Sequence, residues 1–162
     1  MKIIGHREGL LSACQVAGAA IAARDVKPVL RNLKAVVEED RCILMATDLE
    51  QGVRLEVRGI KVEEPGEALL PTARFLSMLR ETPDEELTIE ASAEGFLIRG
   101  SASEFELPGE DPAAFPEIPA FSEDKYHEAP AGLMKELIRR TLFAAAAAEH
   151  SRFGATTGVL LE

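Results

Sequence analysis

The sequence predicts an α+β fold, because helical and strand periodicities alternate along it. Apolar residues in the segment 6–23 recur four, three and four residues apart, which is the spacing of one helix face. The segment 53–58 alternates strictly between apolar and charged residues, as a half-buried strand does. The polar tetrapeptide Thr47-Asp48-Leu49-Glu50 connects that strand to the apolar run 41–46. A short polar connection between two strands predicts a hairpin, and therefore antiparallel pairing.

The other elements of the first part follow in chain order. A strand over 2–5 precedes the helix over 6–23, and Pro28 stops the polar loop that follows. A second helix is predicted over 72–80, after Pro71, because proline suits the first turn of a helix. Further strands are predicted over 29–38, 67–70, 87–91, 96–99 and 103–107.

Prolines at 108, 112, 116 and 119 mark the end of a first domain. Such a stretch predicts an extended linker and not a packed element. We therefore predict a first domain over 1–120, which includes the linker 108–120, and the truncated start of a second domain over 121–162.

The second segment repeats the opening of the chain. A strand over 125–128 and a helix over 131–148 are predicted, and Gly132-Leu133-Met134 echoes Gly9-Leu10-Leu11. The alternative is that two amphipathic helices resemble each other by chance. A final strand over 157–162 would be an unpaired edge, and the helix before it would lack its full sheet.

Composition limits the class of protein. The chain has 162 residues, 46% hydrophobic and 5% aromatic, with no Trp, so its core must be mostly aliphatic. The net charge of −10 argues against a general nucleic-acid coating protein. Cys14 and Cys42 both lie in apolar patterns and are predicted to be buried thiols, not a disulfide or a metal site. No apolar run of transmembrane length is present, which predicts a cytoplasmic protein without membrane partners.

The charge is divided unevenly between helices and the rest of the chain. The three helical segments 6–24, 71–80 and 131–148 hold seven basic and two acidic residues, a net charge of +5. The remainder holds eleven basic and 26 acidic residues, a net charge of −15. A basic helical face on an acidic body would suit phosphates. The alternative is ordinary helix-end preference and helical ion pairing such as Glu136 with Arg140.

The residue types of a catalytic or cofactor site are missing. The three histidines are scattered, and no nucleophile elbow, phosphate loop or cysteine pair occurs, so we predict no catalytic residue, no metal and no cofactor. Asp48 and Glu50 could form the acid and base of a small hydrolase, but a polar turn is the better interpretation.

The patterns, in their order, resemble the bacterial DNA polymerase III beta subunit family, the beta sliding clamps. The matching pieces span the chain: Arg24 before Pro28-Val29-Leu30, Asn32-Leu33, Thr47-Asp48-Leu49-Glu50, Pro71-Thr72-Ala73-Arg74-Phe75, Phe105-Glu106-Leu107, Phe115-Pro116, Leu137-Ile138, Thr141-Leu142-Phe143, Arg152 and Gly158-Val159-Leu160-Leu161-Glu162.

The resemblance implies a DNA clamp fold, with antiparallel sheets and two helices per domain. Two chains of the family form a homodimer ring around duplex DNA, without reading its sequence, and a clamp loader and the replicative polymerase are partners. By this resemblance, the residues that contact DNA are Arg24, Arg74, Arg80, Lys135, Arg139, Arg140 and Arg152. Phe105 and Leu107 fall on the strand that joins the partner subunit.

Two departures from the family pattern leave an alternative open. These 162 residues stop early in the second domain and are not expected to close a ring alone. Glu149 stands where the family often has a neutral residue that contacts DNA. The alternative function is a short clamp-like interaction protein that does not encircle DNA.

Overall fold

The computed structural model describes residues 1–21, 27–92, 95–122, 124–146 and 156–161. They form two compact units, Met1–Ala120 and Phe121–Glu162. The predicted α+β class is confirmed in the first unit, whose described residues form antiparallel strands and two α-helices.

The first unit contains two antiparallel sheets. In the five-stranded sheet the order is β5-β1-β7-β8-β9, and in the four-stranded sheet it is β4-β3-β2-β6. The strands are β1 (Lys2–His6), β2 (Asn32–Val37), β3 (Cys42–Thr47), β4 (Gly52–Val57), β5 (Ile60–Glu64), β6 (Gly66–Pro71), β7 (Glu86–Ala91), β8 (Gly95–Arg99) and β9 (Glu104–Pro108). The helices of this unit are α1 (Arg7–Gly18) and α2 (Thr72–Glu81).

One apolar core joins both helices to both sheets. Phe75 and Leu79 of α2 are fully buried there, as are Leu33 of β2 and Leu87 of β7. The predicted buried thiols are confirmed, since Cys14 and Cys42 are free and belong to this core. Burial raises the pKa of Cys14 to about 12 and that of Cys42 to about 11.

A second apolar cluster covers the other face of the four-stranded sheet. Ile43 and Met45 of β3 point into it, whereas their neighbours along the strand point into the main core. Phe115 completes this cluster and is only 6% exposed. Residues 112–118, which we call the strap, therefore lie over the sheet. The prediction of an unpacked linker is wrong here, because Phe115 and Ile118 are apolar anchors between its prolines.

Local turn chemistry fixes the strap in place. The Asp111 carboxylate accepts a hydrogen bond from the Ala113 N–H at 2.9 Å and caps a 3-10 helix, Pro112–Ala114. Arg54 of β4 donates from Nη1 to the Ile118 carbonyl oxygen at 2.9 Å.

Two predicted boundaries in the first unit need correction, and one strand is missing from the prediction. The strand predicted over 29–38 begins only at Asn32, because Pro28–Arg31 forms a 3-10 helix. The helix predicted over 6–23 ends at Gly18, and positions 22 and 23 lie outside the described residues. Strand β5 was not predicted. Gly59, at φ +70°, turns the chain between β4 and β5, and the apolar alternation that follows is short.

The second unit contains one α-helix among its described residues, α3 (Ala131–Thr141), followed by a 3-10 helix, Leu142–Ala144. Within the described residues, the helix predicted over 131–148 is too long, because α3 ends at Thr141. The strands predicted over 125–128 and 157–162 are wrong, since the described residues of both segments are not strands. A strand needs a neighbouring strand to satisfy its backbone, and these segments have none in the described part of the unit.

Candidate nucleic-acid interface

Helix α2 presents two arginines on its exposed side. Its buried side carries Phe75, Met78 and Leu79, so the opposite arc, with Arg74 and Arg80, faces solvent. Six residues of α-helix separate the two arginines by about 9 Å along the axis. Neither guanidinium has a carboxylate partner among the described residues. Six residues also turn the two side chains about 120° apart around the axis, so they flank the exposed arc. We call this arc, with its two uncompensated positive charges, the strip.

Arg7, the first residue of α1, does not add to this strip. Its Nη1 donates to the carbonyl oxygen of Leu79 at 3.2 Å, and its Nη2 lies 3.5 Å from a carboxylate oxygen of Glu8. A cation suits that position, because the last carbonyls of a helix are unpaired and carry partial negative charge. The side chain is only 23% exposed. Arg7, one of the seven basic residues in the helical segments, therefore links α1 to α2.

Helix α3 carries the basic residues predicted for the second unit. Lys135, Arg139 and Arg140 are all exposed. Arg140 Nε and Arg139 Nη2 donate to Glu136 Oε1 at 2.6 and 3.0 Å. These contacts, Arg139 first, lower the pKa of Glu136. Such exposed ion pairs orient the side chains but contribute little to the stability of the fold.

The two other residues predicted to contact DNA, Arg24 and Arg152, lie outside the described residues. Glu149 also lies outside them. Within each unit, the structure brings Arg74 and Arg80 onto one helix and Lys135, Arg139 and Arg140 onto another.

Strand β9 places the two predicted interface residues at the edge of the five-stranded sheet. Phe105 and Leu107 are half-buried against the main core, whereas Glu104 and Glu106, which alternate with them along the strand, are exposed. One side of β9 pairs with β8, in the register Ile98 with Phe105. Its other side has no strand partner among the described residues and is able to pair with another chain.

A buried carboxylate, Asp84, supports the hairpin that leads into β9. Its Oδ1 accepts hydrogen bonds from the Ser101 hydroxyl at 2.6 Å and from the Ser101 and Ala102 N–H groups at 3.0 and 3.1 Å. Its Oδ2 accepts from the hydroxyl of Ser103. The hydroxyls of Ser101 and Ser103, then the backbone donors, hold the pKa of Asp84 at about 2.

Sequence reasoning missed the role of Asp84. The sequence indicates only that Thr82-Pro83-Asp84 ends the second helix, and the fold brings Asp84 to a hairpin 17 residues later. The one signal was the small, polar run Gly100-Ser101-Ala102-Ser103. Gly100 touches Asp84 so closely that a Cβ there would overlap the carboxylate.

Comparison with known proteins decides the family. Residues 1–119 match the family described as DNA polymerase III beta subunit, N-terminal domain. The chain belongs to this family.

Relatives in the DNA polymerase III beta subunit family cover nearly all of the described fold. The beta sliding clamp of Escherichia coli strain K12 is 30% identical over 147 residues, 90% of this chain and 40% of that protein. The beta sliding clamp of Bacillus subtilis strain 168 is 26% identical over 157 residues, 92% of this chain and 42% of that protein. The chain therefore spans about two fifths of the length of these relatives.

Solved structures of the family have the same fold. The DNA polymerase sliding clamp of Bacillus subtilis superimposes with a TM-score of 0.83 at 25% identity, over 93% of this chain and 42% of that one. The DNA polymerase III subunit beta of Pseudomonas aeruginosa gives 0.80 at 27% identity, over 91% of this chain and 40% of that one. The predicted clamp fold is thus confirmed.

The tetrapeptide 47–50 is a hairpin connection, as predicted, between β3 and β4. The Asp48 carboxylate accepts hydrogen bonds from the N–H groups of Glu50 and Gln51 at 3.0 and 2.8 Å, whereas the Glu50 side chain is exposed. Backbone N–H groups, that of Gln51 first, lower the pKa of Asp48. This arrangement is that of a turn and not of an acid–base pair.

The described residues hold no cluster of three or more potential metal ligands. None of the helices in this part of the chain has the length and apolar character needed to span a bilayer.

Proposed function

We propose that this protein acts as a sliding clamp, a ring that encircles duplex DNA and tethers the replicative polymerase. The chain would supply the N-terminal domain, residues 1–120, and the start of the second, residues 121–162. The observation that carries the proposal is the exposed strip of Arg74 and Arg80 on a chain of net charge −10. Such a distribution directs phosphate contact to one strip, while the acidic remainder repels DNA. The role is not enzymatic, since nucleotide transfer belongs to the polymerase.

The proposed DNA contacts are sequence-independent. Arg74 and Arg80 would contact phosphates, which carry no sequence information and so permit sliding. Lys135, Arg139 and Arg140 on α3 would extend the contact, and Arg24 and Arg152 are assigned to it from the family resemblance. In this proposal a clamp loader opens the ring, and the protein acts in the cytoplasm.

The ring would be a homodimer, closed through β9. The free edge of this strand, where half-buried Phe105 and Leu107 alternate with exposed glutamates, supports pairing with a strand of the partner subunit. Phe105→Glu should therefore convert the full-length dimer to a monomer in sedimentation velocity. Val62→Glu is the matched control, because Val62 is a half-buried apolar residue on β5, at the opposite edge of the same sheet. An equal effect of both substitutions would argue against β9 as the interface.

A topological test separates a ring from a simple DNA-binding protein. The full-length protein is loaded by its clamp loader onto nicked circular duplex DNA, and the complex is isolated by gel filtration in moderate salt. Half of it is then linearised with a single-site restriction enzyme. A ring stays on the circle and slides off the linear DNA. Equal retention on both forms would overturn the proposal, and absence from both would favour the clamp-like interaction protein that does not encircle DNA.

A further inference from the structure

The free edge of β9 presents the backbone groups of two glutamates. Gly100 donates its N–H to the Ser103 carbonyl oxygen at 2.8 Å, across the hairpin that joins β8 to β9. Because hydrogen-bonded and non-hydrogen-bonded pairs alternate along an antiparallel ladder, the N–H and C=O groups of Glu104 and Glu106 point away from β8. A strand that joins this edge would therefore form its backbone hydrogen bonds with Glu104 and Glu106.

The side chains of both glutamates lie on the outer face of the five-stranded sheet. Phe105 and Leu107 alternate with them and pack against the main core on the other face. Side chains directly opposite each other on neighbouring strands have Cβ atoms about 4.5–5.5 Å apart. A strand of the partner subunit would thus place one of its own side chains beside each glutamate. Which side chain is favourable there depends on the charge that each glutamate carries without compensation.

Glu104 already has a cation in its own chain. Arg99, directly opposite on β8, binds Glu104 through Nε and Oε2 at 2.8 Å. The same guanidinium, through Nη1, lies 3.7 Å from Glu90, which also contacts Lys2 at 3.2 Å. Ion pairs therefore continue across the outer face of the sheet, and Glu104 ends a row in which its charge is balanced.

Glu106 differs, because no basic side chain in the described part of the chain forms an ion pair with it. Its neighbour across the ladder is the apolar Leu97. Glu106 lines an open cleft of about 780 Å³, and Lys2 lines the same cleft, but its Nζ lies 3.2 Å from both Glu63 and Glu90. The carboxylate of Glu106 thus lies at the free edge with its charge uncompensated and with room beside it for another side chain.

We propose that Glu106 determines which strand closes the ring at β9, by pairing with a lysine or arginine on the joining strand of the partner subunit. This inference rests on the proposed function and adds the chemistry of the partner's surface. Opposite charges on facing strands attract, and like charges there are destabilising. Two β9 edges that paired with each other would bring glutamates beside glutamates. The charge of Glu106 therefore disfavours pairing of β9 with a second β9 and favours a basic strand.

The dimer dissociation constant of the full-length protein tests this inference, measured by sedimentation velocity with fluorescence detection over a dilution series. Glu106→Lys should weaken the dimer by about tenfold or more at about 50 mM salt, because it places two cations side by side at both interfaces of the ring. Its difference from wild type should shrink to about threefold at about 500 mM salt, which screens exposed charges. Glu106→Gln should weaken the dimer less than Glu106→Lys. Glu64→Lys is the matched control, since Glu64 is exposed on β5 at the opposite edge and should leave the constant unchanged.

The outcomes separate this inference from the function on which it rests. If the wild-type protein dimerises and Glu106→Lys dimerises equally well, the role of Glu106 is wrong and the ring stands. If Glu64→Lys weakens the dimer as much as Glu106→Lys does, net charge explains the result and the role is again wrong. A tighter dimer in Glu106→Gln would show that the glutamate only guards the edge against association. If the wild-type full-length protein is a monomer, the homodimer ring of the proposed function fails, and this inference fails with it.

Discussion

Truncation of Phe115 tests most clearly whether the strap is a packed element. Phe115 is 6% exposed and lies against Ile43, Met45 and Leu69 on the outer face of the four-stranded sheet. Burial of a phenylalanine side chain contributes about 1.5–3 kcal/mol, and the cavity left by Ala raises the loss to about 3–5 kcal/mol. Because Phe115 belongs to the small second cluster and not to the main core, the effect should fall near the lower end, at about 3 kcal/mol.

Urea unfolding followed by circular dichroism measures this loss. Phe115→Ala should lower the free energy of unfolding by about 3 kcal/mol and the melting temperature by roughly 6–12 °C. Phe121→Ala is the matched control, since Phe121 is 73% exposed and should change the free energy of unfolding by less than about 0.5 kcal/mol. Two variants that both stay within about 0.5 kcal/mol of wild type would refute a packed strap.

Other predictions concern the carboxylate network and the thiols. Because the folded pKa of Asp84 is about 2 and the unfolded value is about 3.9, its stabilising effect is complete above about pH 4 and is lost as the pH falls toward 2. Asp84→Asn should therefore lower the urea midpoint at pH 7 and show a smaller further loss than wild type between pH 4 and 2. An equal loss in both proteins would assign the acid sensitivity to other groups. Gly100→Ala should also lower the urea midpoint at pH 7, because its Cβ would displace Asp84, and an unchanged midpoint would contradict that contact. Cys14 and Cys42 should react with a thiol reagent at pH 8 only as fast as the protein unfolds, and rapid reaction of the native protein would contradict their burial.

The sequence predicted most of the first unit because its signals are local. Alternation in 53–58 and the polar connection before it define the β3–β4 hairpin, which the structure contains in the predicted place. Helix α2 begins at Thr72, directly after Pro71, and its apolar side follows the helical period. Hydrophobic periodicity and turn chemistry involve only a few neighbouring residues, so both can be recognised without knowledge of the tertiary fold.

Long-range contacts explain what the sequence did not predict. The regularly spaced prolines in and around the strap suggest a linker. Phe115, however, packs on a face of the four-stranded sheet, and that face exists only in the tertiary fold. Asp84 likewise meets its hydroxyl partners across 17 and 19 residues. Arg7 is one of the basic residues of the helical segments, but its guanidinium binds the Leu79 carbonyl oxygen and so links two helices. Periodicity along one segment carries no information about such partners.

The salt dependence of DNA binding tests the central claim most directly. The full-length protein is titrated with duplex DNA between 50 and 200 mM salt, and the slope of log Kobs against log salt concentration is compared among variants. Each lost phosphate contact should reduce the magnitude of the slope by about 0.9, so Arg74→Gln with Arg80→Gln should reduce it by about 1.8 for each subunit, or about 3.6 for the homodimer ring. Arg41→Gln with Arg99→Gln is the matched control, since these arginines pair with glutamates beside strands and should leave the slope unchanged. Equal slopes for the two double variants would contradict a DNA-facing α2.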